Sequence, residues 1–513
     1  MKEQLKRVKP ILTSRLFFRI TLIFFIFESV WIALSAVYPQ AFDENFHFGI
    51  IQIYSHYWLP FLKHQPTGAD AYGAVLRDPS YFFQYLMSFP YRIIAFFVHG
   101  QMGQVILLRL IDVGFFAMGI VLFRRVLLYA KTSLALTNLC MLLFVLIPIV
   151  PQLAAHINYD DMLFPLVGWA CLLTFQWIDE IRARKPSIRT LLTLATVCIF
   201  ASIVKYAFLP IFVGIILFTA IIVFQTYRKE VSGLFKSLWQ SWRVLALYIK
   251  AALITLFVIG VGLFAQRDLY NLYRYHAITP DCQAVLTIKQ CHQYGPWARN
   301  YDTHQDVLKK KAEGKIKYDN PIKYLGLWSY WMWFRSFFAV SGPASNYANY
   351  PPLPLPAATA ALIGLSGISA VFVWRRQILH SNPYILFFFL ASGVYIVSLL
   401  IDGYAQYRYT DELVTMNGRY LLPVLLFMCA IIGRAFSLAL RKKPAYWKAA
   451  IAVIVVLLFL QGGGFLTFLT RSDASWDWDN PVVVKVNNAA RAATKPVLFK
   501  GSRYYPGKEW VFN

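Results

Sequence analysis

Charged residues are scarce in this sequence. Asp, Glu, Lys and Arg together make up 15% of the 513 residues, whereas hydrophobic residues make up 58%, and the mean hydropathy is +0.50. So little polar surface cannot coat a water-soluble globule. The composition therefore excludes an ordinary soluble fold and is typical of a polytopic membrane protein.

Acidic residues are half as common as basic ones, 25 against 50, which leaves a formal charge of +25. On a chain this apolar, cationic loops reflect membrane topology and contact with anionic lipid better than they indicate nucleic-acid binding. A glycine-rich nucleotide loop of the form GxxxxGK[ST] is also missing, which argues against an ATPase of that type.

Eleven apolar stretches are long enough, at about twenty residues each, to cross the hydrocarbon core of a bilayer. They lie at 16–37, 104–123, 133–150, 162–178, 188–204, 207–226, 245–265, 354–374, 384–401, 420–439 and 447–469. The runs lack the alternation of barrel strands, and backbone in lipid must be hydrogen-bonded internally. The sequence therefore predicts an all-α polytopic membrane protein with about 11 transmembrane helices.

Of six basic stretches, one precedes the first predicted span and each of the others follows every second span. All six can therefore lie on the cytoplasmic side of the membrane. This places the N-terminus in the cytoplasm and the C-terminus outside. The domains predicted from this topology are a transmembrane module over 1–469, which includes a first outer loop (39–103) and a long outer loop (266–352), and a small extracytoplasmic cap formed by the tail 470–513. Within the tail, "PVVVKV" and "KPVLFK" are typical of short strands.

The six cysteines divide between the spans and the long outer loop. Cys282 and Cys291 lie nine residues apart in that loop, and a disulfide between them is predicted because the outer compartment is oxidising. A zinc site that uses these two residues and His292 is the weaker interpretation, since the segment has no CxxC spacing and no evident second Cys/His pair.

An acidic motif, "FDENFHFG", follows the first apolar stretch. A helix beginning near Asp43 would place Asp43 and His47 on one face, with Glu44 about 100° around the axis. Simple N-capping by Asp43 is the alternative. The same loop carries Arg77 and Asp78, which join the candidate polar residues, and an aromatic segment, "PSYFFQYLMSFPYRIIAFF", that predicts an amphipathic helix along the membrane surface.

Other candidate residues stand where apolar stretches begin or end. Acids at membrane depth are usually functional, and a guanidinium can hold two phosphate oxygens. Helix capping by the acids, snorkelling by the lysine and stacking of the arginines on aromatic rings are the alternatives. These candidates are Asn158, Asp160, Asp161, Lys205, Arg335, Arg408 and Arg419.

Three motifs, "FDENFHFG", "INYDD" with "VKYAFLP", and "NGRYLLPVLL", resemble those of the GT-C superfamily of membrane glycosyltransferases. That superfamily contains protein O-mannosyltransferases, aminoarabinose transferases and oligosaccharyltransferase catalytic subunits. Within it, the best resemblance is to a bacterial branch with a "DEpxHf"-like first motif, in which Asn45 here replaces the expected proline.

The resemblance implies a GT-C-like fold with amphipathic outer-loop helices, in the bacterial cytoplasmic membrane, and a polyprenyl-phosphate-linked sugar as donor. It implies transfer of a hexose or pentose to a glycan, lipid or protein acceptor. Asp43 would be the catalytic base, with Glu44 as its substitute. Lys205 and Arg419 are the candidate ligands of the donor phosphate by their charge, and for His47 the alternatives are phosphate binding, a divalent cation or a structural role. A divalent cation near His47 is the one cofactor considered, although the motif alone falls short of a ligand set.

The residues fit this chemistry independently of the resemblance. Sugar transfer from a lipid phosphate needs one carboxylate to take the acceptor proton and cations to stabilise the phosphate leaving group. Two functions from other classes stay open. A transporter or lipid flippase would place charges near mid-bilayer in two similar halves. A non-catalytic membrane assembly subunit would need no group of catalytic side chains brought together.

Overall fold

The structure, a computed structural model, describes residues 8–40, 43–316, 320–337, 340–341, 349–350, 354–414, 416, 418–462, 468–469, 472 and 474–494. These residues are almost entirely helical. Their strands are the two-residue segments Val340–Ser341 and Asn349–Tyr350, which pair antiparallel. The prediction of an all-α polytopic membrane protein is confirmed.

Within the described residues, eight helical stretches are long and apolar enough to cross a membrane. They are Arg15–Ser35, Gln101–Tyr129, Tyr159–Arg182, Tyr206–Tyr227, Leu247–Tyr275, Ala361–Leu379, Pro383–Thr410 and Gly418–Ala439. Three shorter apolar helices are Leu134–Val145, Ile188–Val204 and Ala445–Leu460. Each of the eleven predicted spans therefore has an apolar helix, but three of these helices are shorter than a full crossing.

Two predicted spans differ from the observed helices for identifiable reasons. The stretch 133–150 breaks after Val145, because Pro148 and Pro151 cannot continue the hydrogen bonding of one helix. The stretch 245–265 continues as helix to Tyr275, through a π-helical turn at Ala265–Leu269. The helix therefore extends about ten residues into the segment that was predicted as the long outer loop.

The remaining helices connect the spans. The α-helices among them are Val8–Leu12, Glu44–Tyr54, Phe82–Phe97, Ile149–Ala154, Val231–Arg243, Cys282–Val285, Ile288–Cys291, Gly295–Ala312, Pro321–Phe337 and Pro481–Thr494. Short 3₁₀ helices lie at Ala69–Tyr72, Val75–Arg77, Tyr206–Phe208, Gly418–Leu421 and Ala474–Trp476. Helix Pro354–Ser381 contains the span Ala361–Leu379.

Helices Gln101–Tyr129 and Tyr159–Arg182 form the centre of the bundle. The Phe164 ring stacks at 4.5 Å on Phe116 and at 4.4 Å on Phe123. A methyl group at Gly119 would lie 2.3 Å from the Phe164 ring, so only glycine allows this close approach. The tight packing holds the polar residues of both helices in a fixed relation.

The first outer loop lies at the end of the bundle where Arg15–Ser35 finishes, which we call the loop end. Its second helix, Phe82–Phe97, buries Phe83 and Met87 and exposes Ile93, Phe96 and Phe97, in agreement with the amphipathic pattern. Arg267, which is fully buried, fastens the loop to the neighbouring span. Its guanidinium donates to the carbonyls of Val75, Asp78 and Pro60 and to the hydroxyl of Tyr54.

The described part of the tail also packs at the loop end. The backbone and indole N–H groups of Trp478 donate to the carbonyls of Ser35 and Leu34. The strand predicted at "PVVVKV" is wrong, because this segment begins helix Pro481–Thr494. Asn480 caps that helix by accepting from the Val482 N–H at 2.9 Å, and local capping overrides the β-branched pattern. The segment "KPVLFK" lies outside the described residues.

In the long outer loop, the structure joins Cys282 to Cys291 by a disulfide. We therefore expect neither thiol to react with a maleimide in the native protein, and both to react after reduction under denaturing conditions. Mass spectrometry of the labelled peptides measures this directly. A matched Cys282→Ser/Cys291→Ser variant controls for the four remaining cysteines, and labelling of both residues before reduction would contradict the bond.

Candidate active site

Asp43 stands at the start of helix Glu44–Tyr54 with φ at 65°, in the left-handed region that aspartate tolerates better than most residues. Its side chain makes no capping hydrogen bond. Instead, Oδ2 accepts from Nη2 of Arg419 at 2.6 Å. The arginine side chain is 5% exposed and that of Asp43 is 54% exposed. The geometry thus favours an open, charged Asp43 over the capping alternative.

Two opposing effects set the charge of Asp43. Burial raises the pKa of its carboxyl group, but the charge of Arg419 and the hydrogen bond from it lower the pKa by more than burial raises it, with a smaller contribution from the charge of Lys205. The net pKa is below the usual value. Asp43 is therefore ionised at neutral pH and stays a weak base while Arg419 is in contact with it.

Lys205 lies beside this pair, in the turn between helices Ile188–Val204 and Leu209–Tyr227. Its Nζ donates to Oδ1 of Asp160 at 2.7 Å, and both side chains are almost fully buried. The same nitrogen lies 5.6 Å from the centre of the Tyr420 ring, and the guanidinium carbon of Arg419 lies 5.4 Å from it. Two buried cations therefore meet at one aromatic ring close to Asp43.

His47 is buried behind Asp43, one turn along the same helix. Its Nδ1–H donates to the side-chain oxygen of Gln84 at 3.0 Å, and its ring packs 4.5 Å from that of Tyr159. Burial lowers the pKa of His47 to about 3. The ring is therefore neutral and offers only an acceptor at Nε2. This geometry favours the structural alternative over phosphate binding by His47.

Glu44, adjacent to Asp43, points in another direction and forms a two-pronged ion pair with Arg109. The Nε and Nη2 atoms of Arg109 each lie 2.7 Å from a carboxylate oxygen, and both side chains are 0% exposed. Burial raises the pKa of Glu44, but the charge of Arg109 and its hydrogen bond lower it more. Backbone N–H groups of Gln40 and Ile157 also donate to this carboxylate.

The guanidinium of Arg109 also donates to the backbone. Its Nη1 and Nη2 atoms lie 2.6 and 3.1 Å from the carbonyl oxygens of Ala36 and Val37, just beyond the first span. The Glu44–Arg109 pair therefore ties the acidic motif to two spans. Glu44 is enclosed by protein donors and has no open face toward Arg419, which favours a structural role over that of substitute base.

The "INYDD" motif opens helix Tyr159–Arg182. Asn158, not either acid, caps this helix, because its Oδ1 accepts from the Asp160 N–H at 2.9 Å. Asp160 is left to pair with Lys205. Asp161 is fully buried within the bundle, and neither of its oxygens is hydrogen-bonded in the described part of the chain.

The other candidates with described side chains have partners or surroundings of their own. The Arg77 guanidinium stacks 4.1 Å from the Tyr270 ring. Oδ1 of Asp78 accepts from the Ser80 N–H at 2.9 Å. Arg408 is exposed near the end of helix Pro383–Thr410. Arg335 belongs to helix Pro321–Phe337, but its side chain lies outside the described residues.

Several residues that build the site were missed in the sequence. Arg109 lies inside an apolar stretch, and a buried charge at membrane depth was the signal that marked it. Arg267 follows an apolar stretch in the same way. Tyr159 and Tyr420 lie within the motifs "INYDD" and "NGRYLLPVLL", but nothing distinguished them from the many other aromatic residues of this chain.

A metal ion was left open by the sequence. Across the described ranges, no group of three or more His, Cys, Asp or Glu side chains is arranged to hold one. Asp43 is engaged with Arg419, and Nδ1 of His47 is engaged with Gln84. These residues do not fit a metal centre as they stand.

Comparison with known proteins gives weak structural likenesses. No family model and no curated protein matches the chain. It is similar to the Archaeoglobus fulgidus oligosaccharyltransferase tethered to an acceptor peptide, with a TM-score of 0.41 and 11% identity over 96% of this chain and 61% of that one. The apo form matches at 0.40 and 13% identity, covering 93% of this chain and 60% of that one.

The same archaeal enzyme, AglB, in complex with an inhibitory peptide and a dolichol-phosphate, matches at a TM-score of 0.40 and 12% identity. That match covers 92% of this chain and 59% of the other. The chain thus spans about three fifths of the length of these oligosaccharyltransferases. At this identity and overlap, the likeness identifies no shared residue.

The enclosed Glu44–Arg109 pair leads to a stability prediction. Glu44→Gln leaves the Arg109 charge buried without a partner, and we expect the free energy of unfolding to fall by roughly 3–5 kcal/mol. Denaturant unfolding in detergent measures this loss. The matched control is Glu230→Gln, because Glu230 pairs with Arg184 at the surface, with both side chains more than 60% exposed.

The control substitution should cost less than about 1 kcal/mol, the usual value of a surface ion pair. If Glu44→Gln unfolded at the same denaturant concentration as wild type, the pair would not hold the motif in place, and a chemical role for Glu44 would become the better interpretation.

Proposed function

We propose that the protein is a GT-C-type membrane glycosyltransferase that moves a sugar from a polyprenyl-phosphate donor to an acceptor hydroxyl on the extracytoplasmic face of the bacterial cytoplasmic membrane. The observation that carries the proposal is the contact between half-exposed Asp43 and buried Arg419, with Lys205 close by. One carboxylate and two cations are the groups that this reaction needs.

The Asp43–Arg419 contact is the resting state in this mechanism. A donor phosphate competes with the carboxylate for the guanidinium, since both are oxyanions that accept two-pronged hydrogen bonds. Once Arg419 turns to the phosphate, Asp43 loses the charge that depresses its pKa and becomes a stronger base. Donor binding thereby prepares Asp43 to take the proton from the acceptor hydroxyl.

Lys205 provides the second positive charge for the phosphate. In the resting state Asp160 neutralises it, at 2.7 Å. A lipid phosphate brings one to two negative charges into a poorly solvated pocket, which a single cation would compensate incompletely. If Lys205 interacted with both Asp160 and the phosphate, its positive charge would balance the part of the phosphate charge that Arg419 leaves uncompensated.

An apolar cavity of about 570 Å³ suits the lipid chain of the donor. Its lining includes Val204, which is the residue before Lys205, together with Phe82 and Phe200. Its walls come from the first outer loop and four apolar helices, so the cavity is continuous with the membrane-facing bundle. A polyprenyl chain seated there would present its phosphate to Lys205.

A transporter is the rival function, and it predicts charges near mid-bilayer. Arg109 and Asp112 do lie within a span. However, Arg109 is eight residues from the start of the helix Gln101–Tyr129, which is about 12 Å along an axis of about 43 Å. Its charge is also taken up by Glu44 at the loop end. The polar groups thus gather at one end of the bundle, as a transferase requires.

Asp43→Asn tests the base. We expect sugar transfer to fall by about 100-fold or more, the scale of a lost general base. We also expect binding of undecaprenyl phosphate to become tighter, because the carboxylate no longer competes for Arg419. Transfer from undecaprenyl phosphate carrying glucose, mannose or N-acetylglucosamine to native membranes gives the first readout, and microscale thermophoresis gives the second.

Asp411→Asn is the matched control, because Asp411 also has a positive φ, 57°, beyond a different helix. It should alter neither readout. Wild-type transfer by the Asp43→Asn variant would remove Asp43 from the chemistry, and weaker phosphate binding by that variant would contradict the competition for Arg419.

Arg419 substitutions test the phosphate contact. Arg419→Lys keeps the charge but loses the two-pronged geometry, so binding of undecaprenyl phosphate should weaken roughly 10-fold, with a larger loss for Arg419→Ala. Arg434→Lys, fifteen residues further along the chain in the same helical span, should bind normally. Equal binding by all four proteins would show that Arg419 does not hold the phosphate.

The pH profile gives an independent check on the same pair. In wild type the acid limb of kcat/KM should lie below the usual aspartate pKa of about 3.9, since Arg419 lowers the pKa of Asp43. In Arg419→Ala that charge is gone, so the pKa of Asp43 rises and the acid limb moves to higher pH. An unmoved limb would assign it to another group.

A further inference from the structure

Tyr294 reaches the candidate site from the long outer loop, three residues after Cys291. The Cys282–Cys291 disulfide closes a compact double turn in which Thr287 and Gln290 form a capping box. Cys291 is fully buried, and its carbonyl accepts from the Tyr294 N–H at 3.0 Å. The covalently closed turn therefore fixes where the Tyr294 side chain emerges.

The Tyr294 ring lies over the acidic motif. Its centre is 5.8 Å from that of Phe46, which stands between Asp43 and His47 in the sequence. The ring also lies against Gly73, where even a methyl group would come within 3.1 Å of it. Tyr294 is thus wedged between the acidic helix and the rest of the first outer loop.

Burial raises the pKa of the Tyr294 hydroxyl, Asp43 and Asp78 raise it further, and Arg419 lowers it. The phenol is therefore neutral and can donate. Its hydroxyl makes no hydrogen bond to another described residue, and the side chain is only half-buried. A hydrogen-bond donor is thus left unused on a side chain that packs against the acidic helix.

The transferred sugar must lie near both Asp43 and Arg419, because its anomeric carbon has to contact the phosphate on Arg419 and the acceptor oxygen near Asp43 at the same time. A tyrosine that packs against the acidic helix and carries an unused hydroxyl donor matches a carbohydrate ligand there.

We propose that Tyr294 is the residue by which the enzyme binds the transferred sugar, donating its hydroxyl to a sugar oxygen, and that the disulfide turn holds it in position. This inference rests on the proposed function. It assigns a specific task to an outer-loop segment that lies 251 positions from Asp43 in the sequence.

The test compares two ligands that differ only in the sugar. Binding of bare undecaprenyl phosphate is measured beside binding of undecaprenyl phosphate carrying glucose, mannose or N-acetylglucosamine, and the best sugar for wild type is used throughout. Tyr294→Phe removes only the hydroxyl. We expect it to weaken the glycosylated lipid roughly 10-fold and to leave the bare phosphate unchanged, because one hydrogen-bond donor is lost.

Tyr301→Phe is the matched control. Tyr301 lies in helix Gly295–Ala312, which begins directly after Tyr294, and its ring is stacked 4.8 Å from that of Trp297. It should bind both ligands as wild type does. Reduction of the folded protein should reproduce the Tyr294→Phe pattern, because the turn is then no longer closed.

The outcomes separate the two proposals. If wild type does not bind bare undecaprenyl phosphate, the proposed function fails. If wild type binds the bare phosphate but no sugar improves binding, or if Tyr294→Phe keeps the full gain from the sugar, Tyr294 does not bind the sugar, and the phosphate site stands without it. Equal weakening of both ligands in Tyr294→Phe would assign the tyrosine to the phosphate and overturn the inference.

Discussion

The fully buried ion pair between Glu44 and Arg109 fixes the geometry on which the candidate site depends. Two charges removed from water are tolerated only when their hydrogen bonds are satisfied, and here the guanidinium and carboxylate bind each other and the surrounding backbone. The pair joins the start of the acidic helix to the end of the first span. Because Glu44 is held, its neighbour Asp43 has to point elsewhere, toward Arg419.

Two adjacent acids thus have different environments and different uses. Glu44 is enclosed, ionised and saturated with donors, so it can hold structure but cannot reach a substrate. Asp43 is half-exposed and keeps a single strong contact, which an incoming phosphate can replace. The left-handed backbone at Asp43 turns its side chain away from the helix end, where it would otherwise cap. Local strain there accompanies an open carboxylate, a combination often found at functional sites.

Much of this architecture could be predicted from the sequence. The length of the apolar stretches predicted all eleven apolar helices of the described residues. The reason is that the thickness of the hydrocarbon core sets how many consecutive apolar residues a span needs. Lys205 and Arg419 stood out because each interrupts or opens an apolar run. The roles of Asp43 and Glu44 could not be separated, since the partners that decide them lie 376 and 65 residues away. For His47 the sequence left phosphate binding and a structural role open, and burial, which leaves its ring neutral, favours the structural role.

The residues that escaped prediction did so for physical reasons. Arg109 could have been predicted, because a charged residue within an apolar span usually has a functional or structural role. Tyr294 was not, since its position depends on a disulfide-closed turn and on contacts with a loop more than two hundred residues earlier. The helical tail segment was also missed, because a capping asparagine and tertiary contacts outweighed its β-branched run.

The claim that a donor phosphate takes Arg419 from Asp43 can be examined most directly by an electron cryomicroscopy structure with bound undecaprenyl phosphate. The account predicts phosphate oxygens within hydrogen-bond distance of the Arg419 guanidinium, Lys205 turned toward the same group, and Asp43 separated from Arg419. A bound lipid phosphate elsewhere, with the 2.6 Å contact between Asp43 and Arg419 intact, would contradict it.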